Sequence, residues 1–196
     1  MTKIRIGITL LLTMIALVLI GWNFSGFNQQ VIQPVDHHRP TYQSQQTATA
    51  VYALDGKLHY RLMAEEVKNY TNSSVNNAAL DHSTVTWFTK PVMTLFDENA
   101  VGSWAIKADQ AKLTDGKMLY LYGHVEVNNL TAISQLQKIT TDNAEVNLIN
   151  QNISSNDDVN LYGVGFTVNG MKMRGNLRNQ TVELSEKVKT HYENQQ

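Results

Sequence analysis

From Thr47 to the C-terminus the chain alternates apolar and polar residues with a period of two. Leu58, Tyr60, Leu62 and Ala64 alternate with His59, Arg61 and Glu65, with Met63 on the polar side. Val125 and Val127 flank Glu126, while Ala144, Val146 and Leu148 alternate with Glu145 and Asn147. Met171 and Met173 alternate with Lys172 and Arg174, and Val182 and Leu184 flank Glu183. A period of two places one set of side chains on a buried face and the other in water, so the pattern predicts successive half-buried strands. No stretch after Trp22 carries a sustained 3.6-residue period with a cap, and helices beyond that point are expected to be short or absent.

The turn chemistry agrees. Asp55-Gly56, Asp115-Gly116 and Asn169-Gly170 accept the positive φ that tight hairpins need, which predicts antiparallel pairing. Thr71 to Ser83 is polar, Asn-rich and without period, and reads as a loop between two strands. Two segments repeat each other. Ala108-Asp109-Gln110-Ala111-Lys112-Leu113 leads to Leu121-Tyr122-Gly123, and Thr141-Asp142-Asn143-Ala144-Glu145-Val146 leads to Leu161-Tyr162-Gly163. A strand, a turn and a second strand used twice predict stacked β-layers that grow in one dimension. Such a stack has two edges other chains can extend and an interior that can run its full length.

The N-terminal pattern is different. Ile6 to Trp22 carries no charge, and ten of its seventeen positions are Ile, Leu or Val. At about −0.3 to −0.6 kcal/mol each, those residues favour insertion into a bilayer by about 3 to 6 kcal/mol. A helix from Ile4 to Phe24 would rise about 31 Å, matching a hydrocarbon core of about 30 Å. The rival reading is a cleaved signal peptide, which needs small residues before the cut; Trp22-Asn23-Phe24-Ser25-Gly26-Phe27 mixes in bulky ones. Lys3 and Arg5 precede the run and no Lys or Arg follows until Arg39, so the expected topology keeps the N-terminus in the cytoplasm and exports the rest. The predicted organisation is an anchor over 1–27, a Gln/Asn-rich tether with Pro34 and Pro40 over 28–46, and one β-domain over 47–196.

Composition narrows the chemistry. Lys+Arg 16 against Asp+Glu 17 leaves a net charge of −1, and no basic run suggests nucleic acid. With no cysteine there is neither a disulfide nor a thiol nucleophile. His37, His38, His59, His82, His124 and His191 are not spaced as metal ligands, and there is no nucleophile elbow or phosphate loop; neither metal nor cofactor is expected. Asp109 and Asp142 occupy equivalent repeat positions, where a turn aspartate capping backbone amides is the default and a carboxylate pair for hydrolysis the alternative. Asn-x-Ser/Thr triplets such as those at Asn69, Asn72, Asn129, Asn152 and Asn179 are expected by chance in so Asn-rich a chain. Trp87, Phe88, Phe96, Trp104, Tyr120, Tyr122, Phe166 and Tyr192 are expected in the core, some facing an apolar cargo if the sheets do not close.

Several blocks carry a family resemblance. Pro40-Thr41-Tyr42-Gln43-Ser44, Leu58-His59-Tyr60-Arg61-Leu62, Trp87-Phe88-Thr89-Lys90-Pro91, the run from Met118 to Val127, Ile139 to Ala144 and Met171 to Arg178 resemble the LptC family of lipopolysaccharide-transport proteins, over nearly the whole chain. The resemblance implies a twisted, open antiparallel β-jellyroll behind a single transmembrane helix in the inner membrane. It implies no enzyme activity: lipopolysaccharide is received from an ABC transporter of LptB, LptF and LptG and passed to the periplasmic protein LptA. It further implies that Thr47, Phe88 and Val182 face the acyl chains. The strands near Thr47 to Leu62, with Gly56 in their turn, would dock on the transporter, and Thr190 and Tyr192 would pair edge to edge with LptA. Gly163 would lie in a turn near an edge, where a bulky charge weakens assembly. A tether that binds partners without touching lipid, and an anchored envelope hydrolase, remain as alternatives.

Overall fold

The computed structural model describes residues 40–192, apart from 54, 77, 78, 132 and 133, and without side chains over 72–83. The predicted anchor lies outside the described residues, among which no helix is long and apolar enough to cross a membrane. The rest is antiparallel β-structure. The strands are β1 (Tyr42–Tyr52), β2 (Leu58–Asn76), β3 (Ala79–Thr89), β4 (Val92–Phe96), β5 (Gly102–Lys107), β6 (Gln110–Thr114), β7 (Met118–Asn129), β8 (Leu136–Asn147), β9 (Asn152–Gly163), β10 (Phe166–Asn176) and β11 (Thr181–Tyr192). All belong to one sheet.

That sheet is bent along a single line. The first part of β2 pairs with β4 and its later part with β3; the first part of β7 pairs with β6 and its later part with β5. The long strands β1, β2 and β7 to β11 thus run through both halves, while β3 and β6 belong to one half and β4 and β5 to the other. The line is marked on strand after strand by left-handed or unpaired residues. These are Gln46, Lys90, Gly123 with His124, Lys172 and Lys187, all at positive φ, and register breaks at Asp142 to Ala144 on β8. Bulges of this kind are how strands turn a corner from one layer to the next.

The two halves face each other across one core. Phe88, Ala111, Leu119, Leu121, Val146, Ile153 and Met173 come from the β3/β6 half; Leu62, Met93, Leu95, Trp104, Ile106, Val127, Ile139 and Val159 come from the β4/β5 half. Opposite the bend, two hydrogen bonds cross between them: the Trp104 indole N–H donates to the Leu177 carbonyl at 2.8 Å, and the His59 ring meets the Leu148 carbonyl at 2.7 Å. Trp104 is 0 % exposed, so its N–H had to find a partner. Among the described residues β1 pairs only with β2 and β11 only with β10, so the sheet never closes into a barrel.

Several expectations need correction. Asn169-Gly170 is not a hairpin turn: it lies inside β10 at a register shift, and a Cβ on Gly170 would come 3.0 Å from the Glu186 carbonyl oxygen of β11. Neither residue is at positive φ, so what Gly170 supplies is close approach to β11, and the real connections are Val164-Gly165 and Leu177 to Gln180. Thr71 to Ser83 is not a loop but continues β2 and β3 as a ladder from Thr71↔Thr84 to Asn76↔Ala79. Beyond Tyr42↔Asn69 on one side and Val85↔Thr114 on the other, no third strand pairs with it among the described residues. Of the stretch read as tether, Tyr42 to Gln46 already belong to β1. Trp87, Tyr120 and Tyr122 are not core residues. They alternate with buried Phe88, Leu119 and Leu121 and point outward. Met173 is fully buried, whereas Met171 sits half-exposed beside the bulge at Lys172.

Replacing Trp104 by Phe strips the Leu177 carbonyl of its donor and leaves a cavity where the indole was buried, and should lower unfolding free energy by more than the ~1–3 kcal/mol that the lost donor alone would cost. Urea unfolding of the wild-type and variant chains reads this directly; an unchanged midpoint would mean that the cross-bridge holds nothing together.

Candidate functional site

The interior of the bent sheet is the candidate site, because inner side chains from consecutive strands line up across its full width. One row runs Ser44, Val67, Phe88, Ala111, Leu121 and Ala144 through directly paired positions, and reaches Ser155, Met173 and Leu184 beyond the bend in β8. The middle of the row is packed shut, with Ala111, Leu119 and Met173 at no exposure. Its ends are not. Val51 on β1, Leu113 on β6, Val168 on β10 and Val182 and Leu184 on β11 pack against the core while remaining partly accessible.

The three residues expected to face cargo all lie on this inner surface, at different depths. Phe88 is buried, 8 % exposed, between Val67 and Ala111. Thr47 pairs with buried Ala64 near the bend in β1, and its hydroxyl is buried without a hydrogen-bond partner among the described residues. An unmet buried hydroxyl costs about 1–3 kcal/mol. Val182 sits at the far edge opposite Gly175, where the absence of a side chain admits the β11 backbone: a Cβ on Gly175 would lie 2.6 Å from the Thr181 carbonyl oxygen. The three are spread from one edge strand to the other and form no compact pocket.

The residues expected to meet partners lie at the edges. Gly56 is in the β1–β2 turn at φ 81, with open space around it, so its role in the fold is the left-handed dihedral. Thr190 and Tyr192 lie on β11, whose outer edge is unpaired among the described residues; Tyr192 is 78 % exposed. Gly163 departs from expectation. It is the last residue of β9, not a turn residue, and a Cβ there would lie 2.1 Å from the Phe166 ring. The ring of Phe166 therefore lies over Gly163, and Phe166 itself pairs with Tyr192 on the edge strand. Space, not dihedral freedom, requires this glycine. Sequence reasoning placed Phe166 only among the aromatics expected in the core and did not connect it to Gly163, although an aromatic directly after Gly-Val-Gly was the available signal.

The repeated aspartates lie on the outer side of the bend. Asp109 follows Ala108 in the two-residue connection between β5 and β6, and its carboxylate hydrogen-bonds the His124 ring at 2.7 Å; among the described residues it does not cap backbone amides, contrary to expectation. That hydrogen bond, then the charge of Asp109 and more weakly that of Asp142, raises the His124 pKa above the ordinary histidine value. Asp109, His124 and Asp142 are all exposed, and the open hollow beside them, lined by His124, Thr141, Asp142 and Asp158, leaves these carboxylates in water. Among the described residues no group of His, Asp and Glu is placed to hold a metal ion. The two Leu-Tyr-Gly motifs are also not equivalent. Leu121-Tyr122-Gly123 sits at the bend within β7, whereas Leu161-Tyr162-Gly163 ends β9, because β6 starts at the bend while β8 crosses it.

Two measurements test these local arguments. Gly163→Ala should destabilise by about 1–3 kcal/mol through overpacking. Combining it with Phe166→Ala should cost clearly less than the two changes summed, and full additivity in thermal melts would disconnect the two residues. For His124, the raised folded pKa means that the pairing favours the fold fully below the unfolded histidine pKa and is lost as pH rises through the folded value. Ring-proton titration should give a midpoint above that of an ordinary histidine, moving down in Asp109→Asn; an unmoved midpoint would remove the pair.

The comparisons with known proteins agree with this architecture. A family model described as "Lipopolysaccharide-assembly, LptC-related" matches residues 10–193. The lipopolysaccharide export system protein LptC of Escherichia coli (strain K12) is 47 % identical over 193 residues, covering 98 % of this chain and 96 % of the relative. The protein of the same name from Shigella flexneri matches equally, at 47 % over 193 residues. That of Haemophilus influenzae is 35 % identical over 214 residues, covering 97 % of this chain and 96 % of its own. A likeness that runs through the apolar N-terminal run, the strands on both sides of the bend and the edge strand β11 is a likeness of the whole design, and the chain belongs to the LptC family.

Proposed function

We propose that this protein is a non-enzymatic carrier of lipopolysaccharide, anchored in the inner membrane by Ile6 to Trp22 with its β-domain in the periplasm. The observation that carries the reading is the inner face, whose apolar side chains reach both edge strands, at Val51 on β1 and at Val182 and Leu184 on β11, in a sheet that does not close among the described residues. Burying one methylene stabilises by about 0.8 kcal/mol, so exposing one acyl chain of about twelve methylenes would cost on the order of 10 kcal/mol. A carrier must keep tails covered at every step, and apolar contacts, being non-directional, let them slide. The relatives named for lipopolysaccharide export support this cargo. In this reading the open sheet is a jellyroll whose inner residues Thr47, Phe88 and Val182 meet the acyl chains.

The edges supply the partners. β1, with the turn at Gly56, would receive the strand of the transporter built from LptB, LptF and LptG, and β11 at Thr190 and Tyr192 would add a strand of LptA; main-chain hydrogen bonds give affinity and alternate side chains specificity. Gly163→Arg would drive Phe166 off the Gly163 backbone and disturb the ladder beneath Tyr192. A second reading, a tether that never touches lipid, is favoured by the fully packed middle of the core around Leu95 and Trp104.

Photo-crosslinkers separate the two. Placed at Thr47, Phe88 and Val182 in a reconstituted transporter with ATP, they should capture lipopolysaccharide, while a crosslinker at Tyr192 captures LptA. Capture of LptA with no lipid at any inner position would establish the tether and sink the carrier. Gly163→Arg should reduce recovery of the assembled complex several-fold; undiminished recovery would show that the edge does not depend on Phe166.

A further inference from the structure

The outer face of the β3/β6 half departs from what a solvent-facing sheet surface should look like. One row of paired positions runs Gln43, Lys68, Trp87, Lys112, Tyr120 and Glu145 across β1, β2, β3, β6, β7 and β8. The adjacent row brings Tyr70, Val85, Thr114 and Met118 together. Trp87 and Tyr122 stack with centroids 5.8 Å apart, and the Lys112 ammonium lies 4.7 Å from the Tyr120 ring centroid and 6.0 Å from that of Trp87. Lys68 neutralises Glu66 at 2.8 Å, which leaves Lys112 among the aromatic rings as the central charge and the exposed Glu145 at the far end of the row. All of these side chains are partly accessible, and none is needed inside the core.

The geometry points to a docking face for the headgroup layer of an anionic phospholipid bilayer. Trp and Tyr rings with Lys beside them are the composition of membrane interfaces, where a ring has one apolar and one hydrated end and ammonium groups meet phosphates. Stacking turns the ring edges outward, which suits insertion among headgroups better than it suits laying a flat sugar on an aromatic face. The chain also enters the domain here. Thr41 donates to the Asn69 carbonyl, and Gln43 stands in the same row as Lys68 and Trp87. Seventeen residues separate Trp22 from Pro40. Even fully extended, seventeen residues reach no further than about 60 Å, which ties the point of entry to the neighbourhood of the membrane that the proposed anchor enters. The inference rests on the anchor proposed above.

The test uses the three tryptophans, Trp22, Trp87 and Trp104. The full chain with Trp22→Phe is reconstituted in phosphatidylethanolamine and phosphatidylglycerol vesicles, with and without lipids brominated near the headgroup. Trp104 is fully buried, so shallow quenchers should not reach it. The expected result is loss of emission from Trp87, absent in the chain that also carries Trp87→Phe and diminished by Lys112→Glu. A chain keeping Trp22 alone reports on the anchor. Quenching of Trp22 without Trp87 overturns the docking face and leaves the anchor standing, whereas quenching of neither overturns both. A Trp87 signal that follows protein concentration and ignores bromine would show a second copy on this face and also overturn the proposal.

Discussion

The constraint on which the rest depends is the continuity of backbone hydrogen bonding through a bend. A sheet can fold onto itself to make a core only if its strands break or turn, and turning in step keeps nearly every donor and acceptor paired. Here β1, β2 and β7 to β11 turn together, and the strain is carried by a few residues at positive φ: Gln46, Gly123, His124, Lys172 and Lys187. Lys90, between β3 and β4, lies on the same line. Charged and amide side chains dominate this line because it faces water on its outer side, and Glu65 with Lys90, Asp109 with His124, and Asn143 with Asp157 pair along it.

The bend also decides which residues face inward. Between the last inner residue before it and the first after it, β1 inserts Gln45 and Gln46, β2 inserts Glu65 and Glu66, and β8 inserts Asp142 and Asn143, so the alternation slips by one. Thr47 and Phe88 share the inner face for this reason, although they belong to opposite sides of the fold line. The same slip leaves Trp87, Tyr120 and Tyr122 outside. Core and outer aromatic patch are therefore two products of one geometric rule.

Most of the strands were legible because Leu58 to Ala64, Val125 to Val127 and Ala144 to Leu148 obey a period of two, and Asp115-Gly116 is a hairpin turn as its chemistry predicts, with both residues at positive φ. The misreadings have one source. Asn169-Gly170 has turn chemistry but serves a bulge, and Thr71 to Ser83 lacks a period although its backbone continues as a strand pair beyond the ends of β1 and β6. Aromatic content alone could not tell Trp104, hydrogen-bonded in the core, from Trp87, stacked outside. The signature of the bend was present as doubled polar residues, Glu65-Glu66 and Asp142-Asn143, interrupting alternating runs. Side-chain reach and the contact of Phe166 with Gly163 depend on which strands meet, which no local pattern encodes.

Sharing strands between both halves has a mechanical corollary. No single strand can sharpen or relax its turn without pulling on the ladders either side, so the gap between the halves is set collectively, like the angle of a book whose pages are sewn along one spine. A grip that pries the halves apart at β1 is felt as torque along the whole fold line to β11, eight strands away in the sheet order. Width at one edge and hold at the other are one variable in this molecule.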